Sequence, residues 1–108
     1  MIHETAIIEK GVELGNNVKI GPFCIVRQGA KLSDNVELKS HVVTEGKVTI
    51  GEGTIIYPFA SLCYPQSEKF QGEDSEIIIG KNNILREYVT VQHGTLEDKM
   101  CTKIGDNC

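Results

Sequence analysis

Three histidines and four cysteines are the side chains of this 108-residue chain best suited to metal or redox chemistry. Imidazole and thiolate groups are the usual zinc ligands, and paired thiols can cross-link a small domain. The spacing excludes most of this. Cys24, Cys63, Cys101 and Cys108 are widely spread and form no C-x-x-C pair, and His3, His41 and His93 stand at no finger-like distance from them. No metal site is expected. The opening Met1-Ile-His-Glu-Thr lacks the basic and apolar stretches of a secretory leader, so reduced thiols and a cytoplasmic location are expected.

The scaffold that must position any such group is small. One hundred and eight residues suit a single domain, and 40% apolar side chains suffice for one core. A chain of this size buries only about two-thirds of its unfolded surface, so it needs an economical architecture or a partner. Eleven basic against fifteen acidic residues leave a net charge of −4 with no Lys/Arg block, which argues against nucleic acid and anionic membrane partners. No apolar run approaches the roughly 18 residues of a spanning helix.

The architecture is written as a repeat. Every sixth residue from Ile2 gives Ile2, Ile8, Leu14, Ile20, Val26, Leu32, Leu38, Thr44, Ile50, Ile56 and Leu62, all but Thr44 being Ile, Leu or Val. The beat resumes at Ile79, Leu85 and Val91 and again at Ile104. Four residues after each of the first ten markers stands a small or β-branched residue, from Ala6 and Val12 through Cys24 and Ala30 to Thr54 and Ala60. Glycine often follows the marker directly (Gly15, Gly21, Gly51, Gly80, Gly105), and asparagine recurs three after it (Asn17, Asn35, Asn82, Asn107).

Residues two apart on a strand share a face, so Val18 and Ile20 both point inward. Glycine and asparagine tolerate the left-handed backbone of a tight corner. A helix stripe would recur at three and four, and a flat strand would alternate without punctuation. The chain is therefore expected to wind into an all-β triangular prism, three six-residue repeats to a turn, with parallel strands stacked coil on coil. One domain spans 1–108, interrupted by polar insertions at about 63–78 and 97–103. Solenoids commonly build their binding surface from such excursions.

Four segments carry a more specific likeness: Ile20-Gly-Pro-Phe-Cys-Ile-Val26, Leu38-Lys-Ser-His-Val-Val43, Ile56-Tyr-Pro-Phe-Ala-Ser-Leu62, and Leu85-Arg-Glu-Tyr-Val-Thr-Val91 with Gly94-Thr95. Along nearly its whole length, with both insertions in place, the chain resembles the acyl-[acyl-carrier-protein]–UDP-N-acetylglucosamine O-acyltransferases of lipid A synthesis. They are hexapeptide-repeat enzymes of the left-handed β-helix class. The resemblance implies a left-handed parallel β-helix and a cytoplasmic homotrimer with sites between adjacent prisms. It implies transfer of an R-3-hydroxyacyl chain from acyl carrier protein to the 3-hydroxyl of UDP-N-acetylglucosamine, without metal or cofactor. A family histidine acts as general base on that weakly nucleophilic hydroxyl, and a backbone amide steadies the oxyanion.

Residue by residue, the run Pro65-Gln66-Ser67-Glu68-Lys69-Phe70 matches a family stretch that reaches toward substrate. Gln66 and Lys69 carry over as sugar-nucleotide contacts, the lysine by pairing with phosphate. The family acid is replaced by Ser67, and the usual glycine after Leu62 by Cys63. Where the family has His-Arg-Gly-Thr this chain has Gln92-His93-Gly94-Thr95. A one-residue shift in extended chain turns a side chain to the opposite side, so His93 takes no catalytic role. His41 and His3 read as surface histidines. The family's catalytic histidine, its later coils and its helical C-terminal region fall beyond Cys108, so no catalytic residue is assigned and the chain alone is expected to be inactive. The alternatives are an inactive remnant of that family, or a trimeric zinc carbonic anhydrase on the same scaffold, for which three scattered histidines are a poor fit.

Overall fold

The computed structural model describes residues 2–63, 76–92 and 101–106. Fourteen short strands follow one another: β1 (Ile7–Ile8), β2 (Glu13–Leu14), β3 (Lys19–Ile20), β4 (Ile25–Val26), β5 (Ala30–Leu32), β6 (Glu37–Leu38), β7 (Val43–Thr44), β8 (Lys47–Ile50), β9 (Ile55–Ile56), β10 (Ser61–Cys63), β11 (Glu76–Ile79), β12 (Ile84–Leu85), β13 (Thr90–Gln92) and β14 (Cys101–Ile104). They form three parallel sheets, ordered β1-β4-β7-β10-β13, β2-β5-β8-β11-β14 and β3-β6-β9-β12. Every third strand returns to the same wall, which makes the chain a three-walled prism.

Register follows the six-residue beat. Ile7 pairs with Ile25, Leu14 with Leu32 and Ile20 with Leu38, each 18 residues on. Backbone groups find their partners in the next coil: Ile7 N–H donates to the Cys24 carbonyl at 2.8 Å, Lys19 N–H to Val36 at 3.0 Å, and Ser33 N–H to Ile50 at 3.0 Å. A strand of two residues is too short to stand alone, so the stack, not any single strand, carries the structure.

Both inward positions of the hexad are filled as expected. Ile20, Val26, Leu32, Leu38, Ile50, Ile56 and Leu62 form one set of ladders, and Cys24, Ala30, Val36, Val42, Val48 and Ala60 the other, all at most 2% exposed. Three polar residues join them. Thr54 Oγ1 donates to the Gly80 carbonyl at 2.9 Å and accepts from Asn83 N–H at 3.3 Å, while Asn83 Nδ2 donates to the Gly105 carbonyl at 2.6 Å. Thr44 Oγ1, buried between Val26 and Leu62 in its ladder, has no hydrogen-bond partner.

The corners correct the expected role of one glycine set. Gly15, Gly21, Gly51 and Gly80 do not have positive φ; they are needed because a Cβ there would collide with the coil above, at Gly21 with the Lys39 carbonyl oxygen. The left-handed positions lie elsewhere and differ by corner. One corner uses Gly11, Gly29 and Gly46; the second uses Asn17, Asn35, Gly53 and Asn82; the third uses Phe23, His41, Phe59 and Tyr88. Asparagine adopts this conformation readily, but a bulky side chain loses about 1–2 kcal/mol there.

The insertions are also bounded more tightly than expected. Cys63 lies in β10 and residues 76–78 in β11, because Ile77 and Ile79 are buried rungs and β11 pairs with β8. Residues 101–103, expected in the second excursion, belong to β14, which pairs with β11. The first coil departs in the other direction: Leu14, expected inside, is 37% exposed, because β2 is an edge strand with a coil on one side only.

Candidate functional site

The two insertions share one corner. β10 ends at Cys63 and β13 at Gln92, and these two residues are register partners. β11 begins at Glu76 and β14 at Cys101, also partners. Residues 64–75 and 93–100 thus both connect the first wall to the second, one coil apart. Gln66, Lys69 and His93 fall in these stretches and lie outside the described residues. The placement of the flanking strands is what the fold contributes: Cys63 and Gln92 end neighbouring strands of one wall, and Glu76 and Cys101 begin neighbouring strands of the next.

Along that edge the preceding coils carry a charge ladder. Glu9, Arg27 and Glu45 each follow an inward marker, and their N–H groups donate in turn to Val26, Thr44 and Leu62. Arg27 Nη1 lies 3.2 Å from Glu9 Oε2, and Arg27 Nε 3.9 Å from Glu45 Oε2. Glu9 also accepts from the Gln28 N–H at 2.7 Å, which fixes its carboxylate against the corner. Exposed pairs of this kind contribute about 1 kcal/mol or less, so the ladder orders charge more than it stabilises the fold.

A second cluster lies at the corner that closes the third wall. Tyr57 is flanked by Lys39, with Nζ 5.7 Å from the ring centroid, and by Arg86, with Cζ 4.4 Å from it. Each cation has its own carboxylate: Glu37 Oε2 is 2.9 Å from Lys39 Nζ, and Glu87 Oε1 is 3.1 Å from Arg86 Nε. The hydrogen bond from Lys39 to Glu37, reinforced by their charge attraction, holds the ammonium pKa above its usual value. Two residues further along each coil stand Phe23, His41, Phe59 and Tyr88, whose rings stack. The centroids of Phe23 and His41 are 5.1 Å apart, those of His41 and Phe59 4.8 Å, and those of Phe59 and Tyr88 5.4 Å.

The described histidines are surface groups, as expected. His41 is exposed and held between two phenyl rings; His3 is exposed, with Nδ1 2.8 Å from Thr5 Oγ1. Among the described residues neither is paired with a carboxylate of the kind that orients a general base. The Cys24 thiol is fully buried, and that burial raises its pKa despite hydrogen bonds from backbone groups of Val42 and Gly21, so it is a poor nucleophile. Among the described residues no group of three His, Cys, Asp or Glu side chains is placed to hold a metal. The described residues contain no helix long and apolar enough to cross a membrane.

Sequence reasoning missed the aromatic column. Its signal was present: Phe23, His41 and Phe59 each stand three residues after an inward marker, one coil apart, and Tyr88 keeps that position beyond the first insertion.

Three parallel walls built from six-residue repeats define the hexapeptide-repeat class of left-handed parallel β-helices. Within that class the chain is related to the N-terminal part of the acyl-[acyl-carrier-protein]–UDP-N-acetylglucosamine O-acyltransferases. It is 58% identical over 107 residues to the protein of that name from Rickettsia peacockii, covering 98% of this chain and 40% of the relative. It is 47% identical to the one from Brucella anthropi, covering 99% and 39%. The chain thus spans about two-fifths of the length of the curated relatives it matches. The crystal structure of a UDP-N-acetylglucosamine acyltransferase from Bacteroides fragilis superposes with a TM-score of 0.94 at 36% identity, covering 99% of this chain and 42% of that one. A structure from Acinetobacter baumannii gives 0.93 at 39%, covering 97% and 41%. No protein-family model matches the chain.

Proposed function

We propose that this chain forms part of an acyltransferase that moves an R-3-hydroxyacyl group from acyl carrier protein to the 3-hydroxyl of UDP-N-acetylglucosamine, in the cytoplasm and as a homotrimer. The observation that carries the reading is the 58% identity over 98% of the chain to an enzyme named for that reaction. The pairing of Cys63 with Gln92 and of Glu76 with Cys101 supports it, since the strands flanking both insertions belong to the same two walls.

In this reading Lys69 pairs with a phosphate of the sugar nucleotide and Gln66 hydrogen-bonds beside it. Their work is orientation. The general base that takes the proton of the sugar hydroxyl is not among the residues assigned here, because neither His3 nor His41 is paired with a carboxylate and the one-residue displacement of His93 gives it no catalytic role. The chain by itself therefore binds the nucleotide and does not turn it over.

The test is titration of the chain with UDP-N-acetylglucosamine by calorimetry, alongside an assay with acyl carrier protein thioester. Saturable binding is expected, weakened about tenfold or more by Lys69→Ala and less by Gln66→Ala, with no transfer above a protein-free control. Binding that ignores both substitutions, or no binding at all, overturns the assignment of these contacts. Measurable transfer by the chain alone overturns the claim that it lacks a base.

A further inference from the structure

Hydrogen-bonded polar side chains enter the interior of the prism where the chain stops climbing at an even pitch. One inward column reads Val18, Val36, Thr54 and Asn83, aligned by the pairing of the residues that follow them, and all four are buried. Val18, Val36 and Thr54 stand 18 residues apart. Asn83 follows Thr54 by 29, because residues 64–75 intervene. The next coil lies beyond residues 93–100 as well. The column is hydrocarbon where coils follow one another directly and polar where an insertion separates them.

Both polar residues make the same bond. Thr54 Oγ1 donates to the Gly80 carbonyl at 2.9 Å, and Asn83 Nδ2 donates to the Gly105 carbonyl at 2.6 Å. The two glycines are equivalent, since each follows a register partner, Ile79 of β11 or Ile104 of β14. Thr54 Oγ1 also accepts from the Asn83 N–H at 3.3 Å. One buried chain of bonds thus runs from Thr54 through Asn83 to Gly105 and joins three stretches of sequence that the insertions hold apart.

Thr44 supplies the contrast. It is equally buried, but Leu62, the next rung of its ladder, follows 18 residues on with no insertion between, and its hydroxyl has no partner. Aliphatic contact is non-directional: it holds an arriving strand against the stack without fixing where that strand stops. A hydrogen bond has a set length and angle, and a buried amide or hydroxyl costs free energy when its partner is missing. The bond therefore favours the fully seated coil over one that is merely close.

We infer that Thr54 and Asn83 are two successive latches: Thr54 seats β11 and β12 after residues 64–75, and Asn83 seats β14 after residues 93–100. The strand that each insertion leads into is thus fixed by a side chain outside that insertion. The latches are nested, because β14 stands on β11. Opening the first also frees β14, whereas opening the second frees β14 alone. Hydrogen exchange of the whole chain, resolved by segment with mass spectrometry, separates these cases. Thr54→Val is expected to speed exchange at least about fivefold in both 76–92 and 101–106. Asn83→Val is expected to do so in 101–106 only, and neither variant changes 13–50. Asn83→Thr places a hydroxyl where Thr54 already makes the equivalent bond, and is expected to stay within about twofold of wild type. Loosening spread evenly over the chain, or none in these segments, overturns the latches. An Asn83→Thr variant as open as Asn83→Val overturns the bond to Gly105 as the cause. Should Asn83→Val lose its β-sheet circular dichroism, Thr54→Val decides: loosening confined to 76–92 and 101–106 supports the inference, and any other pattern overturns it.

Discussion

Leu14 and Leu32 occupy the same position of the repeat and pair directly across one coil boundary, yet Leu14 is 37% exposed and Leu32 only 2%. The same contrast separates Ile2, at 45%, from Ile20, at 2%, although those residues also bridge. The sequence assigns both coils identical aliphatic plugs. What differs is the number of neighbours: Leu32 has Leu14 on one side and Ile50 on the other, whereas Leu14 has Leu32 alone. In a stacked prism, burial is a property of the stack, and each coil completes the core of the one next to it.

The largest expected effect lies at the seam between the second and third coils. Gly21→Ala drives a methyl group into the Lys39 carbonyl, which cannot move without breaking the Lys39 N–H bond to Ile56 at 2.9 Å. A loss of about 4 kcal/mol is expected, a large share of the stability of a chain this size, and urea unfolding would measure it. A loss below about 1 kcal/mol would mean the two coils are not in close contact. Next comes the contrast itself. Ile50→Ala, at a rung that is 0% exposed, should cost about 3 kcal/mol, whereas Leu14→Ala should cost about 1 kcal/mol. Equal losses would erase the distinction between edge and interior coils.

The smallest effect has the opposite sign. Thr44→Val replaces a buried hydroxyl without a partner by a methyl group of the same shape and should stabilise by about 1 kcal/mol, raising the melting temperature. Thr54→Val, whose hydroxyl serves Gly80 and Asn83, should destabilise by a similar amount. If both substitutions move stability the same way, hydrogen bonding is not what separates these two threonines.

The hexad revealed the walls, the ladders and the asparagine corner, because each is a local demand that repeats with the chain. It did not reveal that Gly15 and Gly21 answer a steric demand from the coil above, since nothing within one hexad records how near the next coil lies. It put Leu14 inside for the same reason. The insertion limits were blurred because Glu76 and Cys101 look polar or isolated in sequence, and only their pairing shows them to be strand. The aromatic column was readable from the spacing of Phe23, His41 and Phe59 but was hidden behind the stronger aliphatic beat. Of the candidate site, only the flanking strands lie among the described residues, and Gln66 and Lys69 rest on the likeness of one hexapeptide run.

After each excursion the chain resumes its place without slippage: Ile50 meets Ile79 and Ile79 meets Ile104, as though nothing had intervened. The intervening residues can therefore be lengthened, shortened or grafted from a cousin while the masonry on either side stays put. What happens between the strands and what holds the stack are in this way free to drift on separate clocks.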